Sequence, residues 1–343
     1  MRKHIVVLLS AVLMLALVLG GCGGNKAAES NNETTSNEEL TIRVGHVLPE
    51  THATHISLAE VFKKEVEKNS KGKIKVELYP NAQLGGDRQE IEAVGLGTLE
   101  MCIPAGSVLA GFDENFMVFD LPFLFKSREA AFKALDSDFG KKIGEGLKSQ
   151  NIVNLGFGEN GFRNITNNVR PIHTPEDLKG IKIRTMENPI HMTTFRAFGA
   201  NPTPMAFGEL FTALQQKTVD AQENPVAIIY TSKFYEVQKY LTLSGHVYAN
   251  CPYLINKDFY EGLSDDLRKV VDEAIKNTIN RQRELTAKQE KEFITELKEN
   301  GMEINELTSE EKDAFIKAAQ PAYDEFVEKY GSELVDMAKS YNE

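Results

Sequence analysis

Cysteine is scarce in this chain: three in 343 residues, with no CxxC pair. No redox or zinc-ribbon reading can therefore start from cysteine spacing. GxSxG, HExxH, a P-loop and any Cys-His arrangement at diagnostic spacing are absent too, so no hydrolase, zinc-protease or nucleotide-phosphate chemistry has a motif behind it. Positive charge is also short. With 39 Lys plus Arg against 50 Asp plus Glu the formal net charge is −11, a poor match for nucleic acid. An anion bound by this protein must be attracted by local cations against the overall field. The composition, 41% hydrophobic and 26% charged, is that of a soluble globular protein and excludes both a multi-span membrane protein and a disordered one. The length suggests two domains.

The one long apolar run lies at the N-terminus. Arg2, Lys3 and His4 precede residues 5–19, where Ser10 is the only polar side chain, and Leu19-Gly20-Gly21-Cys22 follows. The run is short for a spanning helix and small residues sit where cleavage needs them, so residues 1–21 read as a targeting segment. The Leu-Gly-Gly-Cys sequence resembles a lipobox, which implies cleavage before Cys22 and lipidation of its thiol. An uncleaved membrane anchor is the alternative. Residues 22–39, rich in Gly, Asn, Ser, Thr and Glu, read as the lipidated Cys and a flexible tether. Cys102 and Cys251 lie in apolar, strand-like stretches and read as buried free thiols. Whether they pair cannot be deduced from two positions.

From residue 40 the pattern alternates. Strands are predicted at 40–46, 73–79 and 99–104, with helices at 55–69 and from Asp87 to about Leu96, the latter starting at an Asp87/Glu90 capping-box-like pair. Strand-helix alternation is the mark of a parallel sheet covered by helices. After helical residues 128–149 the pattern resumes, with strands at 151–158 and 181–186. Residues 241–255 form a long β-rich stretch able to cross between two sheets. Residues 264–299 contain neither Pro nor Gly and read as one helix capped by Ser264, with Gly301 beyond its end; two helices with a break are the alternative. The tail, 309–341, reads as helical and packed across the second lobe. The expected fold class is α/β, two-lobed like a periplasmic binding protein, with a ligand cleft between lobes and a long helix spanning both.

The most specific wording is NPTPMAFGELFTALQQKTVDAQENP, residues 201–225. Asn188-Pro189, Asn201-Pro202 and Asn224-Pro225 each match a capping Asn followed by a first-turn Pro, so each reads as a helix start whose free N–H groups attract anions. Together with YPNAQLGGDR (79–88), LPFLF (121–125), GFRNITNN (161–168), GIKIR (180–184) and SKFYEVQKYL (232–241), this wording resembles the solute-binding subunit of TRAP transporters, in its DctP-like, dicarboxylate-type group. The resemblance runs from about residue 40 to the C-terminus. Its one small departure is Ala221, where the family usually has Gly.

That resemblance implies the site. Arg184, near the end of a predicted strand, matches the family's carboxylate-clamping Arg, which suits a guanidinium's two parallel donors. Arg163 matches a second ligand-side Arg, and a pair of Arg suits two carboxylates. Asn224 matches an Asn on the same carboxylate, Phe207 the aromatic that packs on the ligand's carbon chain, and Asn188 a further contact. His46 and Asp87 lie at a strand end and a helix start facing the expected cleft, where capping or surface roles are the alternative. Binders of nine-carbon sugar acids in the family carry a Glu where Ala105 stands, which turns the reading toward a C4-dicarboxylate such as malate, fumarate or succinate.

Two features read as decoys. Gly156, Gly158 and Gly161 fit GxGxxG after a strand, but FRNITNN follows where a dinucleotide site opens a helix. His52 and His55, near Glu50, lack a third metal ligand and read as ordinary surface histidines. The expectation is therefore a monomeric, extracytoplasmic solute-binding protein, anchored to the cell membrane by lipid on Cys22. It takes a small-molecule carboxylate, needs no cofactor or metal, and performs no enzymatic step. Its partners would be the small and large TRAP membrane subunits. Residues 40–160 plus about 250–285 would form lobe I, and 161–249 plus about 286–343 lobe II. Another carboxylate ligand (a sugar acid, keto acid or sialic acid), a receptor presenting its ligand to a sensor, an ABC-type receptor and a tethered dehydrogenase are the rivals.

Overall fold

The computed structural model describes residues 39–343. The targeting segment, Cys22 and nearly all of the tether lie outside the described residues. Nine strands form one hydrogen-bonded network: β1 (Leu40–Gly45), β2 (Ile74–Tyr79), β3 (Met101–Cys102), β4 (Ile152–Asn167), β5 (Lys182–Thr185), β6 (Asn201–Pro204), β7 (Ala221–Pro225), β8 (Tyr240–Asn256) and β9 (Glu303–Glu306). The order is β2-β1-β3-β8-β4-β7-β5-β6, with β9 paired to β8. β1 runs parallel to β2 and β3, and β5 parallel to β6 and β7, as strand-helix alternation predicts. Between these parallel groups lie the two long antiparallel strands, β4 and β8, registered from Ile152↔Asn256 to Asn167↔Tyr240. The crossing expected of 241–255 is thus made by both strands, and β4 extends well past the predicted 151–158.

Glycines explain why β4 looked interrupted. Its register against β8 shifts between Asn154/Phe157, Glu159/Gly161 and Arg163/Ile165. Gly156 and Gly161 take φ of 150° and 108°, conformations a bulged strand needs and side-chain-bearing residues resist. The GxGxxG spacing therefore serves a bent strand. Ala221 sits fully buried in β7, paired with Asn167 and Ile183 in extended backbone that any residue adopts.

The helix Asp265–Glu299 is unbroken over 35 residues, roughly 50 Å, and Ser264 Oγ accepts from Leu267 N–H at 3.4 Å. Val271, Ala274, Ile275 and Ile279 pack with Ile42, Val44, Phe62 and Val76, while Leu297 packs with Leu210, Ile228 and Phe234. Between those apolar ends the helix turns polar side chains inward. Gln282 Oε1 accepts from Glu159 N–H at 2.8 Å, and its amide donates to Glu159 C=O, satisfying backbone freed by the β4 bulge. Gly158 leaves no room for a side chain: a Cβ there would stand 2.9 Å from Cys251 Sγ on β8 and 3.0 Å from Gln282 Oε1 on the helix. The tail divides its contacts. Phe315 and Ala319 join Phe195 and Phe198, but Phe326 and Val335 pack with Phe116 and Phe139, so the tail packs on residues of both 40–160 and 161–249.

Several local expectations are corrected. Only Asn188 of the three Asn-Pro pairs caps a helix, its Oδ1 accepting from Ile190 N–H at 2.9 Å. Asn201-Pro202 opens β6, and Asn224-Pro225 closes β7, with Pro225 itself in the cap position of Val226–Thr231. Asp87 is not a cap: Gly86 holds that place and Asp87 is the first helical residue. His52 is fully buried, its Nδ1 accepting from Thr54 N–H at 3.2 Å, so it caps a helix where a surface ring was expected. The two cysteines among the described residues are free and buried, as their apolar setting suggested.

Candidate ligand-binding site

β5 carries the organising charge. Its pleat puts Lys182 outside while Ile183 packs in the core, and Arg184 is carried inward to 1% exposure. Arg184 Nε and Nη2 both donate to the Met205 carbonyl, at 2.9 and 2.6 Å, which pins the guanidinium from one side. Its Nη1 side has only the Met186 thioether, at 3.8 Å. Among the described residues no carboxylate pairs with it. Burial lowers its pKa to about 10, against the pull of Glu223, so it remains cationic at neutral pH. An unpaired buried charge is costly unless something neutralises it.

Arg184 lines a cavity of about 290 Å³ together with Asp87, Arg88, Met186, Glu187, Phe207 and Glu209. Asp87, Met186 and Phe207 also line an adjoining recess of about 20 Å³, whose wall includes Asn160, Arg163, Asn224 and Ile228. A larger groove of about 610 Å³ lies elsewhere, between Asp138–Glu145 and the long helix; its Arg283 is already held by both oxygens of Asp136. Charge without a partner picks out the smaller cavity as the candidate site.

Arg163 differs from Arg184 in one decisive respect. On β4, paired with β7, its Nε and Nη2 donate to the carboxylate of Glu223, with Nη2 at 2.8 Å from Oε1. Nη2 also reaches the Glu223 carbonyl at 2.6 Å and Asn224 Oδ1 at 3.2 Å. Glu223 is in turn flanked by His246, whose Nε2 lies 3.2 Å from Oε2, and by His191, whose Nδ1 lies 3.6 Å from Oε1. His191 Nε2 donates to Asp120 Oδ1 at 2.9 Å. Burial alone would push the Glu223 carboxyl up, but Arg163 and the two rings hold it well below the usual range. Burial likewise opposes charge on His191, yet the hydrogen bonds to Asp120 and Glu223 outweigh it and raise its pKa to about 9.

Asn224 stands on β7 rather than at a helix start, its Nδ2 donating to Gln222 Oε1 at 2.5 Å. Phe207 opens the helix Phe207–Gln215 and packs edge-on to Phe234 at 6.0 Å, leaving part of its ring to the cavity. Asp87 lines both spaces; burial raises its carboxyl to about 7, against a 3.4 Å hydrogen bond from Ala105 N–H. Asn188 is not in the lining. Its Nδ2 donates to Ser107 C=O at 3.0 Å and Asp120 Oδ2 at 2.8 Å, which with its capping bond fully engages the amide. His46 is also away from the cavity, fully buried and sharing a 3.1 Å hydrogen bond with His55. Sequence reasoning missed Asn160, Glu187 and Arg88 in the lining, although Asn160 and Glu187 each lie within three residues of a motif Arg. No His, Cys, Asp and Glu cluster able to hold a metal occurs among the described residues.

A mixed-sheet α/β fold in which a buried guanidinium, unpaired among the described residues, faces a small cavity defines a receptor for a small organic anion. The chain belongs to family 7 of the bacterial extracellular solute-binding proteins, whose pattern matches residues 44–330. It is 34% identical over 310 residues to the 2,3-diketo-L-gulonate-binding periplasmic protein YiaO of Escherichia coli, covering 90% of this chain and 94% of that one. A TRAP periplasmic solute binding protein from Polaromonas sp. JS666, bound to D-erythronate, superposes with a TM-score of 0.85 at 38% identity, covering 88% of this chain and 99% of that one. A second, from Sulfurospirillum deleyianum with bound succinate, gives 0.84 at 32% identity with the same coverage. The protein is thus a TRAP-type solute-binding protein with the two-lobed architecture of that group. No helix among the described residues is long and apolar enough to cross a membrane.

Proposed function

We propose that the protein captures an organic acid by its carboxylate on Arg184 and delivers it to the small and large membrane subunits of a TRAP permease, without making or breaking a bond. One observation carries this reading: Arg184 is 1% exposed and, among the described residues, no carboxylate pairs with it. A ligand carboxylate would supply the missing counter-charge through two parallel hydrogen bonds on the Nη1 side. Arg163 and Asn224 would add donors from the recess, and Phe207 would cover the ligand's carbon chain. Residues 40–160 plus about 250–285 would form one lobe and 161–249 plus about 286–343 the other, closing on the ligand as a monomer. The long helix, packed at its two ends in different apolar clusters, would limit closure to a hinge motion.

Relatives named for 2,3-diketo-L-gulonate, D-erythronate and succinate support an organic acid, a class that includes the C4-dicarboxylates expected from the sequence. Lipid on Cys22 would hold the receptor at the outer face of the cell membrane. Thermal unfolding against a panel of organic acids and neutral sugars tests the reading. A true ligand at a hundred times its Kd adds about 2.7 kcal/mol. An unchanged transition with every acid, after removal of any copurified ligand, would sink it.

A further inference from the structure

The inward face of the helix Asp87–Leu96 carries two carboxyl groups one turn apart, Asp87 at 7% exposure and Glu90 at 0%. Glu90 is set against Gly45 at the end of β1, where a Cβ would stand 2.8 Å from its Oε1. Among the described residues neither of its oxygens has a hydrogen-bond partner. A carboxylate in that position would be uncompensated, and burial, with Asp87 adding to it, pushes the group up to about 9, so Glu90 is a neutral acid.

Asp87 is the member of the pair that reaches the ligand cavity. Of the charged groups that face it there, Arg88 stands on its own helix, Arg184 and Glu187 on and just after β5, and Glu209 on the helix Phe207–Gln215. Arg163 faces it across the recess but already holds Glu223. Cys102 on β3, beside both carboxyls, keeps its proton because burial and their charges push the thiol well above its usual value. Arg184 pulls the Asp87 carboxyl toward its charged form, and Glu187 pushes it the other way. A ligand carboxylate on Arg184 offsets that pull and brings a further negative charge into the same cavity. Both changes favour the protonated acid.

We infer that Asp87 takes up a proton when a ligand carboxylate binds Arg184, so that the protein captures its anion together with H+ while Glu90 keeps a resident proton throughout. The inference rests on Arg184 holding the ligand's carboxylate. The proton passes from solvent to the Asp87 carboxylate, leaving a neutral carboxylic acid, and its charge cancels that of the carboxylate that enters. By linkage the proton strengthens ligand binding as much as the ligand strengthens proton binding. Because Asp87 titrates at about 7 before a ligand binds, affinity should be level below about pH 7 and fall as pH rises above it.

Calorimetric titration of the full chain with succinate, L-gulonate and D-erythronate, the ligands of three related structures, tests it. Each is run in phosphate and in Tris, whose different ionisation enthalpies reveal proton uptake. The tightest of the three should bring in more than about half a proton per ligand at about pH 7.5, and bind about ten-fold tighter at about pH 6.5 than at about pH 8.5. Asp87→Asn, checked for a native circular dichroism spectrum, should bind with no uptake and a level pH profile. Glu90→Gln, which imitates the neutral acid, should keep both the uptake and the slope. Where Asp87→Asn binds too weakly to titrate, the carbon-13 shift of the Asp87 carboxyl in the parent decides: its titration midpoint must rise on ligand binding, and an unmoved midpoint overturns the inference. Binding without proton uptake, uptake that persists in Asp87→Asn, or affinity that rises with pH overturns it and leaves the Arg184 clamp intact. Uptake lost in Glu90→Gln and kept in Asp87→Asn gives the proton to Glu90 and overturns the assignment to Asp87. If none of the three acids binds, or Arg184→Lys binds like the parent, the clamp and the inference fall together.

Discussion

Arg163 on β4 and Glu223 on β7 form an ion pair in which neither side chain is more than 1% exposed. The pair belongs to a buried row running from Arg163 through Glu223 and His191 to Asp120, in which two cations and two anions alternate when His191 is protonated. A buried pair of this kind adds little stability over an apolar replacement, but removal of one member leaves the other uncompensated. Glu223→Gln should therefore destabilise the protein by about 3–5 kcal/mol, read by urea unfolding. A change under about 1 kcal/mol would mean that Arg163 finds another partner.

Arg184 invites the opposite experiment, since no carboxylate pairs with it among the described residues. Both of its bonds to Met205 C=O come from one edge of the guanidinium, an arrangement a lysine ammonium cannot reproduce while presenting two parallel donors to a ligand. Arg184→Lys keeps the charge and should weaken ligand binding ten-fold or more, about 1.4 kcal/mol, by calorimetry. Because Arg184 is buried with no carboxylate paired to it among the described residues, Arg184→Met should leave the unliganded protein as stable as the parent or more so. A large loss of stability in that variant would show the guanidinium to be structural.

How legible this site was depended on whether a residue's job was local. The helix Asp265–Glu299 announced itself through an uninterrupted apolar period and a capping Ser264, both properties of one segment. Motif wording singles out Arg184 and Arg163 but not their difference, because Glu223 lies 60 residues from Arg163 and meets it only through the β4–β7 register. Asn224-Pro225 and Asn188-Pro189 have the same spelling, yet one closes a strand and the other caps a helix, since sheet pairing overrides a local capping preference. Asp87 looked like a cap because its spacing to Glu90 fits one; the backbone turns one residue earlier, at Gly86, and the carboxyl goes to the cavity.

The bends in β4 supply a test of how the glycines are used. Gly161 holds φ at 108°, and a Cβ there would meet nothing closer than 3.5 Å, so a substitution is penalised through backbone strain alone. Gly161→Ala should cost on the order of 1–3 kcal/mol and weaken ligand binding, because Asn160 and Arg163 flank the bend. Gly72, with φ of 77° in a turn away from the cavity, is the matched control: Ala there should cost stability and leave affinity unchanged. Equal effects of the two substitutions on affinity would remove the bend from the binding site.

Buried histidines contribute to the pH dependence of the fold, and they act in opposite directions. His191 is held near 9 by Asp120 and Glu223, above its unfolded value of about 6.5, so its contribution is full below 6.5 and fades as pH rises through 9. His46 and His52 are pushed down to about 3, mainly by burial, so what they contribute is present above about 6.5 and fades as pH falls toward 3. Tm should therefore peak near pH 6.5 as far as these three rings govern it, with Tm falling by about 2–4 °C for each kcal/mol lost on either side. His52→Asn keeps a capping acceptor but cannot take up a proton, and should flatten the acid side while leaving the alkaline side alone. His191→Gln keeps a donor for Asp120 but carries no charge, and should flatten the alkaline side while lowering Tm at neutral pH. If the acid side is unchanged in His52→Asn, the burial of that ring is not what makes the fold sensitive to acid.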